Sequence, residues 1–317
     1  MNFLPSLLTI LLTLFLLMIC GYICRRRNII DTVASKRLSS LIISVGQPMM
    51  IIAALNNAKY SKENLTVAWQ VTLIGFAVHA VLAMLALLIC KLLTGNSNRK
   101  KIFEFSLVFA NCGFLGFPIL DSILGEGVGS FIGAFYVISF HLFLWTWGIL
   151  ILSRDREDIR LTPKKIFFNF GTVPCAIGVV LYLLKPIFVL PDFFGKFFSY
   201  LGNLCTPISV LVTGALLATI SIGGMIRNKR LYLHALIKLI LLPLIACLIA
   251  KLCGLSDTYI LTVTAMVGVP SAATITMLAE LYDIEPGYAS QTVGMTSVLS
   301  TVTLPLVMLF AQWIVGM

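Results

Sequence analysis

Charge is scarce in this sequence. Of its 317 residues only 11% are charged and just 13 are acidic, while 59% are hydrophobic and the mean hydropathy is +1.00. A soluble chain carries about 25% charge, so an ordinary soluble enzyme domain and a disordered chain are both excluded. Histidine is rare, at His79, His141 and His234, and no Cys-x-x-Cys or Cys/His cluster occurs. The eight cysteines lie inside or beside apolar runs. Free thiols there act as small buried hydrophobes, so neither disulfides, nor a metal centre, nor any cofactor is expected. Intramembrane enzymes need paired aspartates, Ser with His, or a His-Glu metal motif within the membrane, and the sequence holds none. Long polar connections are missing as well, which leaves no room for an appended sensor domain.

Apolar runs fill the space instead. They cover 3–24, 34–56, 64–93, 102–124, 128–152, 166–188, 198–222, 230–253, 256–282 and 286–316. Each is long enough for a membrane helix, which takes about 20 residues. The first lacks a basic lead-in and is too long for the apolar core of a signal peptide, so it reads as a membrane helix. The expectation is an all-α membrane protein with ten transmembrane helices.

The net charge of +10 then has a topological meaning. Odd-numbered connections carry 17 of the 23 Lys and Arg and even-numbered ones carry five, with Lys238 left inside the eighth run. Basic residues gather in cytoplasmic loops. The odd connections are thus predicted to be cytoplasmic and both termini to lie outside. The basic balance reflects the bilayer and predicts no nucleic-acid partner. Lys238 is read as close enough to the cytoplasmic face to snorkel, and His234 as solvated near the same face.

Prolines punctuate the runs in register. Pro48, Pro118, Pro207 and Pro270 fall in the second, fourth, seventh and ninth, which are the second and fourth of each set of five. Local sequence agrees: Gly46-Gln47-Pro48 corresponds to Cys205-Thr206-Pro207, and Gly116-Phe117-Pro118 to Gly268-Val269-Pro270. Five is odd, so two such halves must enter the membrane with opposite orientation. The predicted organisation is a first five-helix repeat over 1–152, a short linker over 153–165 and an inverted second repeat over 166–317. Matching interrupted helices in inverted halves point to a transporter's midplane site.

The interruptions suggest what is bound. Phe109-Ala110-Asn111-Cys112-Gly113-Phe114-Leu115-Gly116-Phe117-Pro118 sits mid-span, as does Gly268-Val269-Pro270-Ser271-Ala272-Ala273-Thr274. A broken helix exposes an N-terminus with free N–H groups and partial positive charge, so two such ends meeting at midplane form an anion site. The candidate substrate-binding residues are Asn111, Gly113, Gly116, Pro118, Gln47, Pro48, Pro270, Ser271 and Thr274. The predicted partner is a small organic anion. Carboxylates are absent from midplane, since Glu104, Asp121 and Glu280 lie toward span ends. Efflux of an anion from a negative-inside cell needs no coupling ion, because the potential favours it by about 2.3 kcal/mol per charge per 100 mV. For proton or ion coupling the candidates are His79, His141 and Gln291, with Thr296 and Ser300 beside Gln291. A sodium- or proton-coupled organic-acid symporter is the alternative.

At these residues the chain resembles the auxin efflux carrier family, over essentially its whole length. The resemblance rests on Asn111, Gly116 and Pro118 in the pattern Asn-x4-Gly-x-Pro, on Pro270, on Ala279-Glu280-Leu281-Tyr282, on Pro48, and on Val212-Thr213-Gly214-Ala215. It implies a bile-acid-carrier or antiporter-like fold in which helices four and nine cross. It further implies a scaffold of helices 1, 2, 6 and 7, a mobile bundle of helices 3, 4, 5, 8, 9 and 10, and homodimers through the scaffold. The implied substrates are organic carboxylates such as malate, with Asn111, Pro118 and Pro270 at the site. The chain departs from the plant members in its short 153–165 connection and in having Ser271, rather than a larger amide, after Pro270.

Overall fold

The structure is a computed structural model that describes residues 3–93, 95–156 and 168–316. Most of the expected linker, 157–165, lies outside the described residues. Among those described, every regular element is helical; the one β-type feature is an isolated antiparallel bridge between Ala110 and Ser271.

The helices follow the apolar runs. They are α1 (Phe3–Arg26), α2 (Thr32–Asn57), α3 (Lys62–Leu92), α4a (Ser97–Val108), α4b (Cys112–Leu124), α5 (Val128–Ser153) and α6 (Thr172–Leu184). Then come α7 (Asp192–Leu217), α8 (Lys229–Leu252), α9a (Asp257–Gly268), α9b (Thr274–Leu281) and α10 (Pro286–Val315). Seven of them (α1, α2, α3, α5, α7, α8 and α10) are long and apolar enough to cross a bilayer. Polar caps fix where several begin. Asp31, Ser61, Asn96 and Asn228 each turn a side-chain oxygen onto the first free amides of α2, α3, α4a and α8, which removes orphan donors that a helix start otherwise leaves.

The fourth and ninth runs are interrupted, the ninth at Pro270, which cannot continue a helix ladder, and the fourth at Phe109–Asn111, just ahead of Gly113, Gly116 and Pro118, which lie inside α4b. Three residues separate α4a from α4b and five separate α9a from α9b. In α2 the helix continues through Gly46-Gln47-Pro48 by widening into a π-turn over Ile42–Gly46. The extra residue shifts the register just before Pro48, whose missing N–H would otherwise leave a gap in the ladder. The same device precedes Pro118, in the π-turn Cys112–Gly116, and spans Ile237–Leu241 ahead of Pro243.

Packing sorts the helices into neighbourhoods. α1 lies along the second half of α7, while α2 packs on α6 and on the first half of α7. Separately, α3 and α4b pack on α5, α8 packs on α9a, and α9a and α9b pack on α10. At the basic face, buried Glu104 on α4a takes both guanidinium N–H groups of Arg154, one at 2.7 Å, and Lys101 donates to the Arg154 carbonyl. That pins the middle of α4a to the end of α5.

Candidate functional site

The two interruptions meet. Their backbones run antiparallel, with the Asn111 amide donating to the Pro270 carbonyl at 2.7 Å and the Ala272 amide to the Phe109 carbonyl at 2.9 Å. Unwound backbone inside a membrane protein survives only where its polar groups find partners, and here each break supplies them to the other. The expected pool of free amides is smaller as a result, because Asn111 and Ala272 spend theirs on this bridge. Gly113 and Phe114 remain the leading amides of α4b, and a helix gives its first turn no internal partners. The carbonyls that precede them, of Phe109 and Ala110, already accept from Ala272 and Cys112.

Two polar clusters flank this N-terminus. In the first, Asn111 is buried but its side chain makes no hydrogen bond among the described residues. It lines a cavity of about 30 Å³ with Pro270, Thr213 of α7 and Ser297, Ser300 and Thr301 of α10, walled by Leu14 and Met18 of α1. That volume holds roughly one or two waters, not a carboxylic acid, so this conformation is closed around Asn111. In the second cluster Gln47 lies over Gly113, where a side-chain Cβ would come within 2.9 Å of the Gln47 Nε2. The same Nε2 is 3.3 Å from Nε2 of His141 on α5. The bare Gly113 thus lets the amide of Gln47 on α2 lie against the start of α4b.

Two larger cavities approach from opposite faces. One, of about 590 Å³, opens among Arg25, Lys36, Ser35 and Ser39 and reaches Phe114, Thr213, Ala273 and Thr274. The other, of about 500 Å³, opens among Lys59, Asn64, Asp121 and Glu126 and ends at Phe117. Thr213 borders both the first vestibule and the Asn111 cavity. From α7, Thr206 donates to the Phe114 carbonyl at 3.0 Å.

The remaining sequence candidates divide. Pro48 is buried directly after Gln47, and Pro118 follows the π-turn of α4b. Gly116 permits close packing, since a Cβ there would sit 2.6 Å from the Met266 sulfur on α9a. Ser271 points behind the crossing, where its hydroxyl donates to the Ser106 carbonyl and its amide to Thr296 Oγ1. Thr274 borders the vestibule rather than the Asn111 cavity. His79 is enclosed by Phe109, Tyr136, Phe140 and Phe143, with Nδ1 2.7 Å from the Gly75 carbonyl. Gln291 is only partly buried, and no hydrogen bond ties it to Thr296. Thr213 and the Ser297/Ser300/Thr301 face of α10 were not among the expected substrate residues; hydroxyls at i, i+3 and i+4 were the available sign of such a face.

Two expectations are corrected. Lys238 does not snorkel. It is fully buried, and its ammonium donates to the carbonyls of Leu107 and Val267 at 3.4 and 3.2 Å. His234 is not solvated either: it is buried, with Nε2 2.8 Å from the Ser106 hydroxyl and its ring edge-on to Phe103. Both sit on the inward face of α8, which packs on α9a and α10. Distance from the end of a run, the basis for the earlier placement, does not reveal which way a helix face turns.

Comparison with known proteins agrees with this architecture. Residues 6–166 and 159–308 match the family described as "Membrane transport protein". An uncharacterized transporter of Methanothermobacter thermautotrophicus is 25% identical over 306 residues, covering 93% of this chain and 95% of that protein. With both halves of the sequence matched and two apolar helices broken at one crossing, the chain belongs to the membrane transport protein family, that of the auxin efflux carriers, and is a multi-pass transporter rather than an enzyme.

Proposed function

We propose that this protein is an elevator-type secondary carrier of small organic anions, mono- or dicarboxylates such as malate, in the cytoplasmic membrane. The observation that carries the reading is the antiparallel crossing of the two interruptions, Asn111 on Pro270 and Ala272 on Phe109. It sets the N-terminus of α4b, with its partial positive charge, beside the amides of Asn111 and Gln47. A carboxylate there accepts from backbone N–H and side-chain amides without a buried carboxylate to repel it.

The finer architecture belongs to this reading. Ten crossings form two inverted repeats, 1–152 and 166–317, with α4a/α4b and α9a/α9b as the crossed pair. The neighbourhoods of α1, α2, α6 and α7 and of the other helices support a scaffold and a moving bundle. At the crossing the two groups meet through two polar contacts, Gln47 with His141 and Thr206 with the Phe114 carbonyl, and through apolar packing of Phe114 on Ile42 and Cys205 and of Leu115 on Leu14, Met18 and Val210. A homodimer through the scaffold goes with the family resemblance. The vestibule lined by Arg25 and Lys36 opens on the face with most basic connections, which this reading places in the cytoplasm, with both termini outside.

The experiment is uptake of labelled mono- and dicarboxylates by proteoliposomes containing purified protein. Saturable counterflow of a carboxylate is expected; flux equal to that of protein-free liposomes for every organic anion would end the reading. Orientation has its own check. A cysteine at exposed Ser97 (Ser97→Cys, cysteine-free background) is expected to react with an impermeant maleimide only from the cytoplasmic side. Labelling in intact cells would invert the topology.

A further inference from the structure

We infer that Lys238 is a tethered cation occupying the place at the helix crossing where a coupling ion would sit, so that the carrier binds and requires no sodium. The inference rests on the crossing being the transport site, as proposed above.

Leu107 and Val267 are the penultimate residues of α4a and α9a. A helix C-terminus carries about half a negative charge on its unpaired carbonyls, and here two such ends converge inside the protein. Lys238 donates to one carbonyl from each. A single ammonium therefore balances both ends and binds α8 to each broken helix. In carriers with broken helices, such unwound carbonyls and C-terminal ends are what hold a sodium ion or proton.

No carboxylate shares the place. The ion pairs among the described residues join Arg99 to Glu285, Lys101 to Asp155 and Arg154 to Glu104, and none involves Lys238. The titratable side chains within reach of its charge are His79, His234 and Cys112. A buried ammonium without an acid persists only where other groups hold the charged form, and the two carbonyl ends do so. On α10, Thr296 Oγ1 donates to the Thr292 carbonyl and accepts from the Ser271 amide, so it is tied to its own helix and to the crossing.

The arrangement also sets the charge of the moving unit. At the crossing the empty bundle carries the ammonium charge, and a bound monoanion offsets it. Membrane potential then acts on the empty return and leaves one-for-one monoanion exchange unaffected.

The test uses purified full-length protein and the variant Lys238→Ala. The first readout, thermal unfolding in NaCl against choline chloride, needs no knowledge of the substrate. Wild type is expected to melt identically in both. The variant, checked for monodispersity, is expected to gain stability from millimolar sodium or methylammonium, which refill the vacated place. The second readout is carboxylate counterflow in proteoliposomes. It is expected to be independent of sodium for wild type, reduced about tenfold or more in the variant, a loss equivalent to about 1.4 kcal/mol or more, and restored by the same cations. Sodium-specific stabilisation or stimulation of wild type overturns the inference, even if the variant does not fold. So does a monodisperse variant indifferent to both cations, or one transporting at the wild-type rate without them. If wild type moves no carboxylate, the transport proposal fails while the melting comparison still decides the role of Lys238.

Discussion

Replacing Asn111 with alanine is expected to abolish carboxylate-dependent thermal stabilisation and to lower counterflow about 10- to 100-fold, while yield and melting temperature of the empty protein stay close to wild type. The asymmetry follows from how the residue is used. Its backbone amide makes the crossing by donating to Pro270, its carbonyl accepts from the Leu115 amide at the start of α4b, and alanine keeps both. Its side chain makes no hydrogen bond among the described residues and faces the small cavity beside Pro270. A hydrogen bond to a charged group contributes roughly 1.5–3 kcal/mol, which is about 10- to 100-fold in binding. Asn111→Asp sharpens the test: it keeps the shape but sets a carboxylate against the anion, and is expected to be at least as inactive. Thermal-shift titration with a panel of carboxylates measures the first effect. Unchanged affinity in the alanine variant would remove Asn111 from the site.

The closed state of the Asn111 cavity bears on how binding proceeds. A space of about 30 Å³ must expand before an acid enters, and the 590 Å³ vestibule meets it at Thr213. A ligand that binds only the expanded form shifts the population toward it. Its measured affinity is reduced by the fraction of protein already open, so weak apparent binding is compatible with a well-formed carboxylate site.

Much of this was legible in the sequence, and the limits have physical causes. Apolar runs mark membrane helices because the bilayer core admits little else. The interruptions showed themselves through nearby glycine and proline, which weaken a helix, although the fourth run breaks at Phe109–Asn111, a few residues ahead of Gly113 and Pro118. That the breaks bond to each other was not legible. Pairing between Phe109–Asn111 and Pro270–Ala272 depends on two segments about 160 residues apart arriving antiparallel, and no local pattern encodes it. The roles of Ser271 and Lys238 were hidden for the same reason. A serine after a proline looks like a donor for ligand, yet its hydroxyl is tied to Ser106 behind the crossing. A lysine ten residues into a helix looks able to reach water, until two carbonyl ends from other helices meet it.

The seam between α1 and α7 yields the largest effect expected on folding. Gly21 and Gly214 face each other's helices so closely that a Cβ at Gly21 would lie 2.0 Å from the Leu211 carbonyl oxygen, and one at Gly214 1.9 Å from that of Met18. Both obstacles are backbone, so no side chain can rotate aside and the helices must part. Small residues at such crossings are what let membrane helices approach, and the contact draws in Leu14, Met18 and Val210 as a packed cluster. Gly214→Ala is therefore expected to cost about 3 kcal/mol, the upper end for overpacking, and Gly214→Leu to give no monodisperse protein. Gly223→Ala, where a Cβ meets nothing within 4 Å, is the matched control and should melt within a degree or so of wild type, since an alanine the backbone accepts costs little. Fluorescence-detected gel filtration over a temperature series reads all three. The same seam walls the Asn111 cavity through Leu14, Met18, Val210 and Thr213, so any Gly214→Ala protein that does fold should also bind carboxylate more weakly. Wild-type melting by Gly214→Ala would mean that α1 and α7 stand further apart than described, and that Thr213 does not border the Asn111 cavity.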